Sequence, residues 1–209
     1  MTERIVVSHR DDLIRIIEES PGDADLNHLD VTLIEDMSHL FCEGTRYQFN
    51  GNISEWNTSN VRNMNGMFRG SEFNGDISKW NVSNVRVMMN AFRQSKFNGD
   101  ISEWDVSSVA SMLETFAFSE FNGDISKWNV SRVKSAGFMF AFSKFNGDIS
   151  DWGTSSLTDA NLMFAYSSFT GDISKWDLSN LVLGDYNIFT NAYIPEEIQI
   201  LLRLKYKIS

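Results

Sequence analysis

Basic residues, cysteine, histidine, proline and long apolar runs are all scarce in this chain of 209 residues. Each scarcity excludes something. Lys and Arg total 18 against 28 Asp and Glu, for a net charge of −10. Without clustered basic residues, neither nonspecific nucleic-acid binding nor attraction to an anionic membrane is expected. The single cysteine, Cys42, cannot form an intramolecular disulfide, so the fold does not rely on an oxidising compartment. Two prolines exclude a Pro-rich linker. The segment from Met1 to Val7 lacks the long apolar run of a signal peptide, and no stretch approaches the ~20 apolar residues of a membrane span. The three histidines, His9, His28 and His39, all lie near the N-terminus, and with one cysteine they make no metal-ligand spacing. There is no P-loop and no dinucleotide-binding glycine pattern. No cofactor and no metal are expected.

Repetition fills the space these absences leave. The phrase Phe-Asn-Gly-Asp-Ile-Ser-x-Trp recurs every 24 residues, starting at Phe49, Phe73, Phe97, Phe121 and Phe145, with slight variation in the first copy and as Phe-Thr-Gly at Phe169. Its tryptophans are Trp56, Trp80, Trp104, Trp128, Trp152 and Trp176. A fixed period of this length is the signature of a stacked solenoid, in which each unit is too small to bury its own core. Within the unit from Phe97 to Glu120, the apolar skeleton is Phe97, Ile101, Trp104, Val106, Val109, Met112 and Phe116. The Trp104–Val106 alternation predicts a short strand. Ser107 followed by Val109, Met112 and Phe116 predicts an N-cap and about two helical turns. The recurring Asn-Gly predicts a tight turn with positive φ. The expected fold is therefore an α/β repeat solenoid, a right-handed, leucine-rich-repeat-like stack of about seven strand–turn–short-helix layers. The six tryptophans form its structural ladder.

Leu26–Phe41 aligns with Ile53–Phe68 as a degenerate first layer, and three extra residues within Cys42–Gln48 lengthen the connection that follows. The organisation is an N-terminal strand and helix cap over 1–25, a degenerate repeat over 26–48, six regular repeats over 49–190, and a C-terminal capping helix over 191–209. Asp11–Glu19 reads as the first helix, ended by Pro21-Gly22. Ile194–Lys205 reads as the second, with Ile194, Ile198, Leu201 and Leu202 sealing the last layer. A dimer through that helix is the alternative; a monomer is the default.

Two columns of alternating charge run through the repeats. One is Glu55, Lys79, Glu103, Lys127, Asp151 and Lys175; the other is Glu72, Lys96, Glu120 and Lys144. Layers about 4.8 Å apart would place each charge between opposite ones, and a slip by one layer would set like against like. A charged binding stripe is the alternative, which the alternation opposes by cancelling its own field. A third column, Asp76, Asp100, Asp124, Asp148 and Asp172, has Asn52 in its first copy. Calcium is one reading of these residues and a turn in which the side chain accepts backbone N–H groups is the other; Asn52 favours the turn.

The repeats change character toward the C-terminus. Met112 is followed at its position by Ala136, Ala160 and Gly184. Gly70 and Gln94 give way to Phe118, Phe142 and Tyr166, and Gly66, Asn90 and Glu114 to Phe138, Leu162 and Tyr186. Those six later residues, Phe118, Phe138, Phe142, Leu162, Tyr166 and Tyr186, are the candidate binding residues. Repacking of the core around the lost methionine volume is the competing explanation.

The wording W-(N/D)-V-S-x-V-x-x-M-x-x-M-F, followed by F-N-x-D-I-S, resembles the BspA-like leucine-rich repeat family, also called the DUF285 repeat. Trp56-Asn57-Thr58-Ser59-Asn60-Val61 through Met64, Met67 and Phe68 carries the likeness, which runs from about Leu26 to Phe189. The resemblance implies a surface protein of adhesion or protein interaction, with no catalytic residues to transfer. The expected function is a non-enzymatic binding scaffold for a protein or glycan. An intracellular interaction or neutralising module is the alternative, favoured by the lack of a visible signal peptide, which leaves both cell surface and cytoplasm open. A polysaccharide-active enzyme is the weakest reading, since no carboxylate pair stands out at acid/base spacing.

Overall fold

The computed structural model describes residues 4–42, 46–182 and 188–206. Strand β1 (Ile5–Val6) pairs in parallel with β2 (Leu29–Asp30). Between them lies helix α1 (Arg10–Glu19), whose Leu13 and Ile17, one turn apart, are buried. Asp11 and Asp12 occupy its first turn, where carboxylates suit the helix dipole. Ser20 ends it, donating its N–H to the Ile17 carbonyl and its hydroxyl to the Ile16 carbonyl.

From the first layer onward, successive units are joined by parallel bridges, running Asp36, Asn63, Val87, Ser111, Ser135, Asp159 in order, 27 residues apart at the first step and 24 thereafter. Alternate backbone N–H groups point to the following layer. Met64, Gly66, Phe68 and Gly70 donate to the carbonyls of Val87, Met89, Ala91 and Arg93, at 2.7–2.9 Å. The expected short helices do not form: among the described residues of 49–182 there is no α-helix. The segment after each serine is instead a run of overlapping β-turns, such as Met67 to Met64, Arg69 to Gly66 and Ser71 to Phe68. An amide cannot serve both a helix and the next layer, and the interlayer bond prevails. The predicted strand is likewise reduced to isolated bridges, none of them at the Trp–Val stretch.

Two further turn readings are corrected. The serine after each Trp-Asn-x or Trp-Asp-x is a donor, not a cap. The N–H groups of Ser59, Ser83, Ser107, Ser131 and Ser179 bond to the side-chain oxygens of Asn57, Asn81, Asp105, Asn129 and Asp177. The Asn-Gly pairs do not adopt positive φ, which among the described glycines is confined to Gly66 and Gly70. Glycine is needed for close approach instead, since a Cβ on Gly99 would sit 2.8 Å from the Phe97 ring. The asparagine of each pair ties layers together. The N–H of Asn98 donates to Asn74 Oδ1, that of Asn122 to Asn98 Oδ1 and that of Asn146 to Asn122 Oδ1, each at 2.7 Å.

The core is a set of buried columns. The tryptophans form one of them, and each indole N–H reaches a carbonyl of the preceding layer: Trp80 to Ile53, Trp104 to Ile77, Trp128 to Ile101, Trp152 to Ile125 and Trp176 to Ile149, at 3.0–3.1 Å. Two phenylalanine columns stack beside it. Phe68, Phe92, Phe116, Phe140 and Phe164 follow one another at 5.4–5.9 Å, and Phe73, Phe97, Phe121, Phe145 and Phe169 at 6.1–6.4 Å. At the far end α2 (Glu196–Tyr206) buries Leu202 against this core, and Tyr206 donates its hydroxyl to the Trp176 carbonyl at 3.0 Å. Ile194 is buried and Ile198 partly so, but Leu201 is half exposed and takes no part in a seal. Ile200 and Leu204 share its exposure.

The charge columns make ion pairs one layer apart, Lys127 with Glu103 at 2.9 Å, Lys175 with Asp151 at 2.6 Å, and Lys144 with Glu120. Lys127→Glu is expected to lower the melting temperature, by less in 1 M salt (about a 3 Å screening length) than in dilute buffer; a salt-independent loss would refute the pairing. Trp104→Phe keeps a ring but removes the indole donor, leaving the Ile77 carbonyl with the Trp80 N–H alone. It is expected to cost about 1–3 kcal/mol in denaturant unfolding from the lost bond and the smaller ring, whereas a loss under about 0.5 kcal/mol would show the indole bond to be dispensable.

Candidate functional site

Two surface columns share one backbone conformation. His39, Gly66, Asn90, Glu114, Phe138 and Leu162 form the first, with φ between 53° and 60°. Gly70, Gln94, Phe118, Phe142 and Tyr166 form the second, with φ between 54° and 67°. This left-handed region suits glycine and tolerates asparagine, and a bulky side chain there is an outlier. The backbone does the same work whatever the residue. The N–H groups of Gly70, Gln94, Phe118 and Phe142 donate to Arg93, Ala117, Ala141 and Ala165 at 2.7–2.8 Å. Glycine at Gly70 satisfies the fold, so the rings in later layers carry a strain of about 1–3 kcal/mol each that the fold does not require.

Those rings stand in the open. Phe118, Phe142 and Tyr166 are 44%, 46% and 55% exposed. Phe118 stacks on Phe142 at 4.6 Å with planes 4° apart, and Phe142 on Tyr166 at 4.8 Å and 16°. Arg93 extends the column, its guanidinium 5.4 Å from the Phe118 centroid while it pairs with Glu114 at 2.6 Å. Phe138 and Leu162 are half buried on the neighbouring column. Tyr186, like Gly184, lies outside the described residues.

Core repacking does not account for the exposed three. Where Ala136 follows Met112, an apolar cavity of about 10 Å³ remains, bordered by both and by Val130, Val133, Met139, Trp152 and Met163 among others. That is at the threshold for holding one water. The core therefore closes without Phe118, Phe142 or Tyr166, whose surface lies outside it. Sequence reasoning found these three rings by their departure from the repeat. It missed Arg93 and the left-handed backbone. The signal was present, since Gly66, Gly70 and Asn90 are residue types that favour such φ values.

The aspartate column takes the turn geometry. Asp76, Asp100, Asp124, Asp148 and Asp172 each accept, on Oδ1, the N–H of the serine two residues on, at 2.7–3.0 Å. Asn52 accepts from Ser54 in the same way. In each aspartate the serine N–H, and after it the serine hydroxyl, hold the carboxyl below its ordinary pKa. Among the described residues no three His, Cys, Asp or Glu side chains gather as a metal site would need. Depressed carboxyl pKa values add stability that is complete above the unfolded value near 4 and is lost as pH falls below it. The melting temperature is expected to drop between pH 5 and pH 2, and the triple variant Asp100→Asn, Asp124→Asn, Asp148→Asn, which keeps the acceptors without the charge, to flatten that drop. An equal drop in both would show that these carboxylates do not cause it.

A family model described as "Mycoplasma protein of unknown function, DUF285" matches residues 14–120 and again 88–198. No curated protein and no solved structure matches the chain. Among the described residues no helix is long and apolar enough to cross a membrane. The two overlapping family matches take in the whole array together with most of α1 and the start of α2, and by them the chain belongs to the DUF285 family.

Proposed function

We propose that the chain is a non-enzymatic solenoid scaffold of the BspA-like kind that binds a partner protein along the Phe118, Phe142, Tyr166 column. The observation that carries this reading is three exposed rings on left-handed backbone, where the same fold accepts glycine. Strain that stability does not require is commonly tied to function. Adhesion is the form that the family resemblance supports.

The stacking favours protein over glycan. A sugar packs on the face of an aromatic ring, but the inner faces here are covered by the neighbouring rings, and Arg93 covers Phe118 from the other side. What remains of Phe118 and Phe142 is a ridge of ring edges, which carry the positive part of the ring quadrupole. Such a ridge suits aliphatic side chains and carbonyl oxygens of a protein surface, and exposed aromatics are frequent anchors at interfaces. Self-association is a second reading, supported by the exposed Ile200, Leu201 and Leu204 on α2.

Phe142→Gly separates binding from folding. It loses two stacking contacts of about 0.5–1.5 kcal/mol each and releases strain of about 1–3 kcal/mol. Its stability is expected to stay within about 1.5 kcal/mol of wild type, whereas the buried Phe140→Ala should lose about 3–5 kcal/mol. On protein and glycan arrays the wild-type chain is expected to bind protein spots that Phe142→Gly and Tyr166→Ala no longer bind. Binding untouched by both substitutions would dismiss the aromatic column, and glycan-only binding would reverse the choice of partner.

A further inference from the structure

The first column also shapes a second feature, in the opening layers. His39, Cys42, Arg69, Gly70 and Gln94 line an open depression of about 380 Å³. It lies where the array breaks its own spacing, since Phe41 to Phe68 spans 27 positions and Phe68 to Phe92 spans 24. Cys42 Sγ is 3.5 Å from both His39 Nδ1 and the His39 carbonyl oxygen, and Asn65 Nδ2 is 3.4 Å from His39 Nε2. Asn65 Oδ1 is shielded from solvent and has no hydrogen-bond partner. A half-turn of the carboxamide exchanges oxygen and nitrogen. Oδ1 then accepts the Nε2–H, and the Nδ1 lone pair is left facing the thiol. His39 has little freedom to move away. Its backbone is left-handed at φ 54°, and Gly66 makes room for its ring, because a Cβ there would come 2.6 Å from Nδ1.

We propose that Cys42 is a nucleophilic thiol that exchanges with small disulfides bearing a carboxylate. His39 is its base, Asn65 positions the imidazole, and Arg69 receives the carboxylate. A thiol beside a base reacts through its thiolate. The Cys42 proton passes to His39 Nδ1, and the sulfur attacks one sulfur of the disulfide. A new S–S bond forms as the old one breaks, and the departing thiolate takes the proton back from the imidazolium. Cys42 is oxidised to a mixed disulfide, the other half of the reagent is reduced to a thiol, and no third reactant is needed. A guanidinium suits a carboxylate in shape and charge. In a chain of net charge −10, a local cation is what an anionic reagent requires.

Iodoacetamide and iodoacetate test the site in the folded full-length chain at pH 7, since the thiolate displaces iodide from carbon and Cys42 is the only cysteine. His39→Asn keeps a residue suited to the left-handed backbone but removes the base; circular dichroism and the thermal transition establish that it folds. Iodoacetamide is expected to alkylate the wild type at least about fivefold faster than this variant. Arg69→Gln is expected to lower the iodoacetate rate at least about threefold relative to iodoacetamide. The dicarboxylate disulfide dithiodipropionate is expected to add one half of its mass to the wild type, and more slowly to both variants. Equal alkylation of wild type and His39→Asn, or a folded rate no greater than that in guanidinium, would overturn the nucleophile. An unchanged iodoacetate-to-iodoacetamide ratio in Arg69→Gln would overturn the anionic class of reagent.

Discussion

The interlayer hydrogen bond is the constraint on which everything else in this molecule depends. A single 24-residue layer cannot satisfy its own polar groups. The Trp104 indole N–H is buried and finds the Ile77 carbonyl one layer back. The Asn98 N–H finds Asn74, and alternate amides such as Phe116 find the next layer ahead. An unmatched buried donor costs about 1–3 kcal/mol, so a layer of different length would lose several such bonds together. The one longer interval shows how a change is tolerated. Although 27 positions separate Phe41 from Phe68, Trp56 still donates to its layer below, at the Leu26 carbonyl, and Tyr47 still accepts the Glu72 N–H of the layer above.

The same bonds divide the surface into what must stay and what is free to vary. Backbone amides at the left-handed positions are committed to the next layer, so φ is held there whatever side chain is present. The side chain projects from a rigid support without taking part in the core. Gly70, Gln94, Phe118 and Tyr166 can therefore differ at equivalent positions with the backbone unchanged. Binding surfaces gain from such rigidity, since less freedom is lost on association. The Cys42 depression and the aromatic column are both built on these columns, and they adjoin where Gln94 gives way to Phe118 one layer on.

Much of this was legible in the repeat. The period, the buried identity of Phe, Ile and Trp, the terminal helices and the candidate rings all follow from which letters recur and which do not. The errors have particular causes. Val109, Met112 and Phe116 lie three and four apart, which suits a helical face, yet β-turns bury the same residues at the same spacing. Ser107 stands where an N-cap would, yet it is the donor and Asp105 the acceptor, because a short polar pair serves either arrangement. Asn98-Gly99 looks like a positive-φ turn, but the glycine is selected by the Phe97 ring lying against it. Each error assigned a local cause to a residue whose partner sits one layer away or across a turn.

By itself the sequence determined the length of the layer, the apolar columns and the places where the repeat departs from its own wording, because these depend only on which residue types recur at which interval. Tertiary structure alone decided the direction of each amide, the stacking of Phe118, Phe142 and Tyr166, and the meeting of His39 with Asn65. Those depend on groups about 24 residues apart in the chain and one layer apart in space, whose competition for the same donors and acceptors is settled only when the layers stack.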